Sequence, residues 1–440
     1  MTAEKHKPNI LLITTDQQHD RMMSCTGNES LETPAMDSLA HDGIRFEKAY
    51  CTNPVCVPSR TSMATGMMPG RLGASSNGPG MQIQTLPEEV DRSSLGKVMK
   101  RAGYDTFHGG KVHTCRPLDL SGAGYDVCDD DSREGLPAAC LDFINTRGDR
   151  PFFAVASFIN PHDICFAHYA YNGKDQHEVL ALYEAASALP TDQLPPLPDN
   201  FEIQLGEPGA IEAHLSPNAI TPAITMRQEY DERQWQIYRW IYCRLTEQVD
   251  RLVGEILDGL SGCGLVDDTL IVFLSDHGNM DASHRLSSKG LFYQESVGVP
   301  MILKYPGSIA PGSVDNVHLV STGLDLLPTL CDYAGIEAPA HLLGESIRPL
   351  TDGREVSWRS YLAAENSWGR MIQSRRHKYC IYGPSDLEES LVDLEEDPGE
   401  MRNIVAEPGS EDVLLEHQTL LSDWVKRSSD REGADYLIAE

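Results

Sequence analysis

The chain has 440 residues, 40% of them apolar and 23% charged, enough for one large domain with a smaller one, and it has no apolar run of about 18 residues that would cross a bilayer. Its formal charge of −30 argues against a nucleic-acid partner, because phosphate binding needs a basic face. Salt screens the repulsion of anionic substrates within about 8 Å, so a local cationic pocket still wins. The 11 Cys are odd in number and form no C-x-x-C pair, which points to free thiols and a reducing compartment rather than a disulfide framework or zinc site. The opening M-T-A-E-K-H-K-P runs straight into an apolar segment without a signal peptide. The expected location is the cytoplasm, or the periplasm or exterior if an export signal has been trimmed.

Asn9 to Thr15, N-I-L-L-I-T-T, reads as a strand buried on both faces, as in a parallel sheet, and it stops at Asp16-Gln17. Thr33-Pro34 opens a helix with Met36 and Leu39 as its apolar stripe and Gly43 as its stop. Ser93 or Ser94 begins another, carried by Leu95, Val98, Met99 and Ala102 and stopped at Gly103. Tyr104–Phe107 is a short strand leading to Lys111 and His113. Helical spacing returns at Ala139, Phe143 and Ile144, and the strand Phe152–Ile159 ends at Asn160-Pro161-His162.

Residues 165–230 show no sustained period and read as loop with short helices, of the kind that shapes a site. From Trp235 to Leu260 apolar residues step by three or four, a long amphipathic helix whose stripe is core packing. Thr269–Leu274 is a buried strand ending at Ser275-Asp276-His277. Val299–Tyr305 is another, and Ser321 caps a helix through Leu330. The alternation predicts an α/β fold, a mostly parallel sheet sandwiched by helices, over residues 1–352. A smaller α+β subdomain with an antiparallel sheet follows over 353–440, with strands at Tyr361–Ala364 and Lys378–Tyr382 and a helix at Asp412–Val425.

Four of these strands end in polar clusters: Asp16-Gln17, Lys111 with His113, His162, and Asp276-His277. Ligands of open parallel sheets bind beyond the carboxyl ends of the strands, so all four belong on one edge. Between them lies Cys56-Val57-Pro58-Ser59-Arg60 with Thr65-Gly66. Pro58 and Ser59 favour a helix start, which puts Cys56 just before a helix N-terminus. A thiol there, beside Arg60, is acidified and reactive. The alternative for Cys56 and Arg60 alone is a buried thiol before an ordinary helix.

C-V-P-S-R followed by T-G resembles the signature of the type I sulfatases, on the alkaline phosphatase-like fold. In that family the Cys is oxidised to formylglycine, whose hydrate is the nucleophile, so the resemblance implies a formylglycine made from Cys56 by a formylglycine-generating enzyme. It also implies one divalent cation, usually calcium, held by Asp16, Gln17, Asp276 and His277 with residue 56. Gln17 stands where many members have Asp, which leaves calcium, magnesium and manganese open. Gly110-Lys111-Val112-His113 looks like the family's G-K-x-H, Pro161-His162 like its P-H element, and Lys289 like its sulfate-binding Lys. His284 and Asn77 fall where relatives have substrate-side residues.

The implied reaction is hydrolysis of a sulfate ester, with a small sulfated saccharide as the expected substrate. Arg60, Lys111 and Lys289 are expected to offset charge on the sulfuryl oxygens. His162, with Lys289, would protonate the departing alcohol, and His113 would expel sulfate by taking a proton from the second hydroxyl of the hydrate. Two other readings stay open: a phosphonate monoester or phosphodiester hydrolase on the same fold, and an unmodified protein that only binds sulfated glycans.

Overall fold

A computed structural model describes residues 7–215, 223–383 and 386–438. Fourteen strands are described in chain order. The first nine are β1 (Asn9–Asp16), β2 (Ile44–Phe46), β3 (Ala49–Tyr50), β4 (Asp105–Gly110), β5 (Val127–Asp129), β6 (Phe152–Pro161), β7 (Thr269–Ser275), β8 (Met301–Lys304) and β9 (Ser313–Asp315). They are followed by β10 (Val320–Ser321), β11 (Tyr361–Asn366), β12 (Gly369–Ser374), β13 (His377–Tyr382) and β14 (Glu388–Asp393).

Eight strands form the central sheet in the order β5-β4-β6-β1-β7-β8-β2-β9. From β5 through β7 every pairing is parallel, and β8 alone runs against its neighbours. β1 is buried along its whole length. Ile10 and Leu12 enter one core, with Val98, Val272 and Leu326, while Leu11 and Ile13 enter the other, with Met36, Ile144 and Ile256. This two-sided burial is why the segment reads as an unbroken apolar run. The first core is closed by helices Leu95–Arg101 and Thr322–Tyr333, the second by Pro34–Asp42, Leu136–Thr146 and the 31-residue helix Glu232–Gly262.

The long helix begins at a capping box, in which the Asp231 carboxylate accepts from Gln234 N–H and the Gln234 side chain accepts from Asp231 N–H. At Ser321 the cap differs from expectation. Its hydroxyl makes no cap bond, and instead the Asp325 carboxylate accepts from Ser321 N–H at 2.8 Å.

Residues 165–230 carry the short helices Ala167–Tyr171, Val179–Ala188, Gly209–His214 and Ala223–Glu229, and several of their apolar side chains pack on the N-terminal half of the long helix. Positions 216–222 of this insert lie outside the described residues. The antiparallel sheet β11-β12-β13-β14 carries the helix Glu411–Ser428 on one face. Its other face meets the main body through Met371, Cys380 and Tyr382 against Tyr50 and Phe292. β12 and β14 escape the sequence reading because G-R-M-I-Q-S and E-E-S-L-V-D lack a clean apolar alternation.

Among the described residues no helix is long and apolar enough to cross a membrane. All 11 cysteines are unpaired.

Candidate active site

The four parallel neighbours β4, β6, β1 and β7 deliver their following residues to one edge of the sheet. Lys111 N–H bonds the Ser157 carbonyl, Asp16 pairs with Pro161 in the β6 register, and Asp276 N–H bonds the Thr15 carbonyl. Gly110 makes the β4 exit feasible. Its φ is +86°, and a Cβ there would stand 2.0 Å from the Ser157 carbonyl oxygen.

Cys56 is the first residue of helix Cys56–Thr65, which ends on Gly66 with φ +67°. The sequence placed Cys56 one step outside the helix. The difference arises because Val55 takes the extended cap conformation, with no side-chain cap bond. Ser59 does not cap either: its hydroxyl donates to the Asp276 carbonyl at 2.5 Å and pins the helix to the end of β7. Asn77 Oδ1 accepts from Val57 N–H at 3.0 Å, so its oxygen is spent on the first turn of the Cys56 helix.

Around the Cys56 sulfur stand Lys289 Nζ at 3.1 Å, His277 Nε2 at 3.2 Å, Asp16 Oδ1 at 3.8 Å and Lys111 Nζ at 4.0 Å. The Cys56 side chain also acts on the His162 imidazole, in the direction that raises it. Ligand atoms of Asp16, Cys56, Asp276 and His277 all lie within 4.8 Å of one another, and all four residues are buried. Burial and Asp16 push the thiol up, but Lys289, Lys111 and His277 outweigh them and hold it well below its ordinary value. Asp16 is likewise held well below the usual carboxylate range, with burial opposed by Lys111, His162, Arg60 and Lys289. Asp276 goes the other way, raised mainly by burial despite Arg60. Burial and Lys289 lower His162.

Arg60 departs from its expected role. Its Nε donates to Asp276 Oδ2 at 2.6 Å and Nη2 to Asp16 Oδ2 at 3.1 Å, while Nη1 donates to the Lys111 carbonyl at 2.9 Å and Ser157 Oγ at 2.8 Å. With all three nitrogens committed and the side chain 6% exposed, it binds the two strand-end carboxylates together instead of facing a sulfuryl group. Each carboxylate thereby gives one oxygen to Arg60 and turns the other toward Cys56 and His277.

The remaining donors fit a hard cation. Gln17, at φ +69°, has its Oε1 beside Lys289 Nζ at 2.8 Å. His277 Nδ1–H donates to the Gly278 carbonyl at 2.9 Å, which orients the ring and makes Nε2 the nitrogen turned to the site. Two carboxylate oxygens, an amide oxygen and one imidazole form an oxygen-dominated set of the kind calcium, magnesium and manganese take.

His113 follows Lys111 with φ +43° and a buried Nδ1 that has no hydrogen-bond partner. His284 is not among the groups at the Cys56 sulfur. It is buried and stacked on Tyr293, with ring centroids 4.0 Å apart.

Several residues at the site had no sequence signal. Cys165 donates to Gln17 Oε1 at 3.2 Å, and Tyr242 donates to the Gln17 carbonyl at 2.5 Å. Asn279 accepts from Gln17 Nε2 at 3.0 Å and from the Tyr238 hydroxyl at 3.0 Å. The two tyrosines lie one turn apart on the long helix, where apolar spacing hides a hydroxyl.

Residues 8–336 match the family model for sulfatases, and residues 282–427 match the model for the C-terminal region of N-sulphoglucosamine sulphohydrolase. The chain is 30% identical to the delta 4,5-hexuronate-2-O-sulfatase of Bacteroides thetaiotaomicron, over 97% of this chain and 90% of that protein. The solved structure of a 2-O glycosaminoglycan sulfatase superposes with a TM-score of 0.82 at 28% identity, covering 99% of this chain and 95% of that one. The phosphonate monoester hydrolase of Agrobacterium radiobacter shares the fold, with a TM-score of 0.76 at 22% identity and 96% of each chain covered.

Proposed function

This chain belongs to the sulfatase family, as a sulfuric ester hydrolase, and from that premise we propose that it removes sulfate from a saccharide at a centre built on Cys56. The observation that carries the reading is the Cys56 sulfur, 3.1 Å from Lys289 Nζ and within one ion's reach of Asp16, Asp276 and His277. The saccharide is inferred from the delta 4,5-hexuronate-2-O-sulfatase likeness along nearly the whole chain.

The family implies a divalent ion and a formylglycine. Asp16, Gln17, Asp276 and His277 would hold the ion, which the oxygen-rich donor set suggests is calcium, with magnesium and manganese as alternatives. Cys56 would be converted by a formylglycine-generating enzyme. When present, ion and aldehyde together supply an acidified oxygen nucleophile.

Lys111 and Lys289 would hold the anionic sulfuryl group against residue 56, each a donor-only cation at the sulfur position. Arg60 would act one layer behind, keeping Asp16 and Asp276 ionised and aimed. His162 would hold the proton that passes to the departing alcohol oxygen. Burial and Lys289 lower its imidazole, and a bound sulfate anion works in the opposite direction and recharges it. His113, on the Lys111 loop with its Nδ1 uncommitted, would take up the proton whose loss releases sulfate. Asn77 retains its amide nitrogen for a substrate contact.

The test is sulfate release from a panel of defined sulfated mono- and disaccharides, using protein whose residue 56 has been checked by peptide mass. Turnover of at least one saccharide, lost in Cys56→Ala, supports the reading. Faster turnover of a nitrophenyl phosphodiester than of any sulfate would move the chain to the diester hydrolases.

A further inference from the structure

Gln17 is the member of the proposed ion-binding set whose donor atom depends on orientation. A carboxylate presents the same oxygen either way round, whereas an amide turned over presents N–H₂ and repels a cation. Something must choose, and hydrogen bonds at both ends of the Gln17 side-chain amide do so.

The chain of bonds starts at a backbone amide. Ser288 N–H donates to the Tyr238 hydroxyl oxygen at 3.4 Å. The Tyr238 O–H in turn donates to Asn279 Oδ1 at 3.0 Å. The same Oδ1 then accepts Gln17 Nε2–H at 3.0 Å. At the opposite end of the amide, Gln17 Oε1 accepts from Lys289 Nζ at 2.8 Å and from the Cys165 thiol at 3.2 Å.

An ammonium has no acceptor, so the Lys289 end of the Gln17 amide takes only the oxygen. A turned-over Gln17 would set N–H₂ against the ammonium and oxygen against oxygen at Asn279. Gln17, Asn279 and Tyr238 are all buried, so each mismatch would go uncompensated.

We propose that Asn279 and Tyr238 are positioning residues that lock the Gln17 amide with its oxygen toward the ion, so that an amide does a carboxylate's work. The proposal rests on the reading of Gln17 as an ion ligand. Its distinctive consequence is that the lock matters only while residue 17 is an amide.

The experiment is calorimetric titration of calcium into the full chain and its Asn279→Ala, Asn279→Asp and Tyr238→Phe variants, each also made with Gln17→Glu. With Gln17 present, Asn279→Ala and Tyr238→Phe are expected to weaken calcium binding by about 10–100-fold. Asn279→Asp keeps the acceptor and is expected to keep the affinity. With Gln17→Glu, Tyr238→Phe is expected to change affinity by less than about twofold. Tyr238→Phe retains the ring that fills the core, and an ion-free thermal melt confirms that each variant is folded. Unchanged affinity in the Gln17 background would overturn the proposal, as would equal losses in both backgrounds. Failure of the unsubstituted chain to bind calcium, magnesium or manganese would instead remove the ligand reading of Gln17 itself, and the lock with it.

Discussion

Lys289 Nζ sits 3.1 Å from Cys56 Sγ, across 233 residues of chain, and the same ammonium reaches Gln17 Oε1 at 2.8 Å. A single cation therefore touches both the residue proposed to become the nucleophile and a proposed ion ligand. Burial would discharge it, but Cys56, Cys165, Asp16 and Asp276 keep its pKa above the ordinary lysine value. Lys289→Ala is expected to lower kcat for sulfate release by about 10²–10³-fold, with a smaller change in KM. Steady-state kinetics on the substrate found in the saccharide screen measures this.

Arg60 makes a different prediction because it holds the site together from behind. Removing it strips Asp276 of its guanidinium partner beside a second buried carboxylate, Asp16, which keeps Lys111 at 2.6 Å. Arg60→Leu is expected to cost about 3–5 kcal/mol of stability. Arg60→Lys, a point charge that cannot bridge both carboxylates, should fall between the two. Urea unfolding followed by circular dichroism gives the values, and a loss of activity without any loss of stability would contradict the bridging role.

Stability should also respond to pH through Glu365, on the strand that joins the C-terminal sheet to the main body. The side chain is 1% exposed, accepts from Gly70 N–H with one oxygen and has no partner for the other. Burial pushes its pKa up to about 7, despite nearby Arg370, which is itself paired to Asp430. A carboxyl whose folded pKa is raised favours folding in its protonated form. The contribution is complete below the unfolded value of 4.5 and is lost as pH rises through about 7. Glu365→Gln keeps the Gly70 bond without the buried charge. It is expected to stabilise the protein at pH 8 by about 1–3 kcal/mol and to have little effect near pH 4.5. Thermal melts across that range decide it, and a pH-independent difference would contradict the assignment.

At Gly110 the backbone itself is the constraint. Gly110→Ala would drive a Cβ into the Ser157 carbonyl at a positive φ, so a loss of more than about 1 kcal/mol is expected. Gly103→Ala, also at positive φ but with nothing within 4 Å, should cost less. The difference between the two melting temperatures isolates the close approach from the backbone preference.

What the sequence disclosed follows from what its local chemistry determines. β1 and β7 are legible because a strand buried on both faces has to be apolar throughout, and the Asp16, Lys111, His162 and Asp276 clusters are legible because parallel topology sends strand ends to one edge. β2 and β9, at three residues each, carry too little pattern to read. Arg60 was placed but not oriented: a guanidinium looks the same in sequence whether it faces a substrate or two carboxylates from other strands. Tyr238 and Asn279 stayed hidden because their function lies in the direction of a hydrogen bond between distant segments, which no spacing encodes. His284 shows the converse, a position suggested by likeness alone that packs against Tyr293.

The central claim is that residue 56 works as the sulfate-attacking group. Its most direct test is release of inorganic sulfate from a sulfated disaccharide by the chain with residue 56 verified as formylglycine, beside Cys56→Ala. The account predicts multiple turnovers by the former and none by the latter. Sulfate release that persists in Cys56→Ala would contradict it.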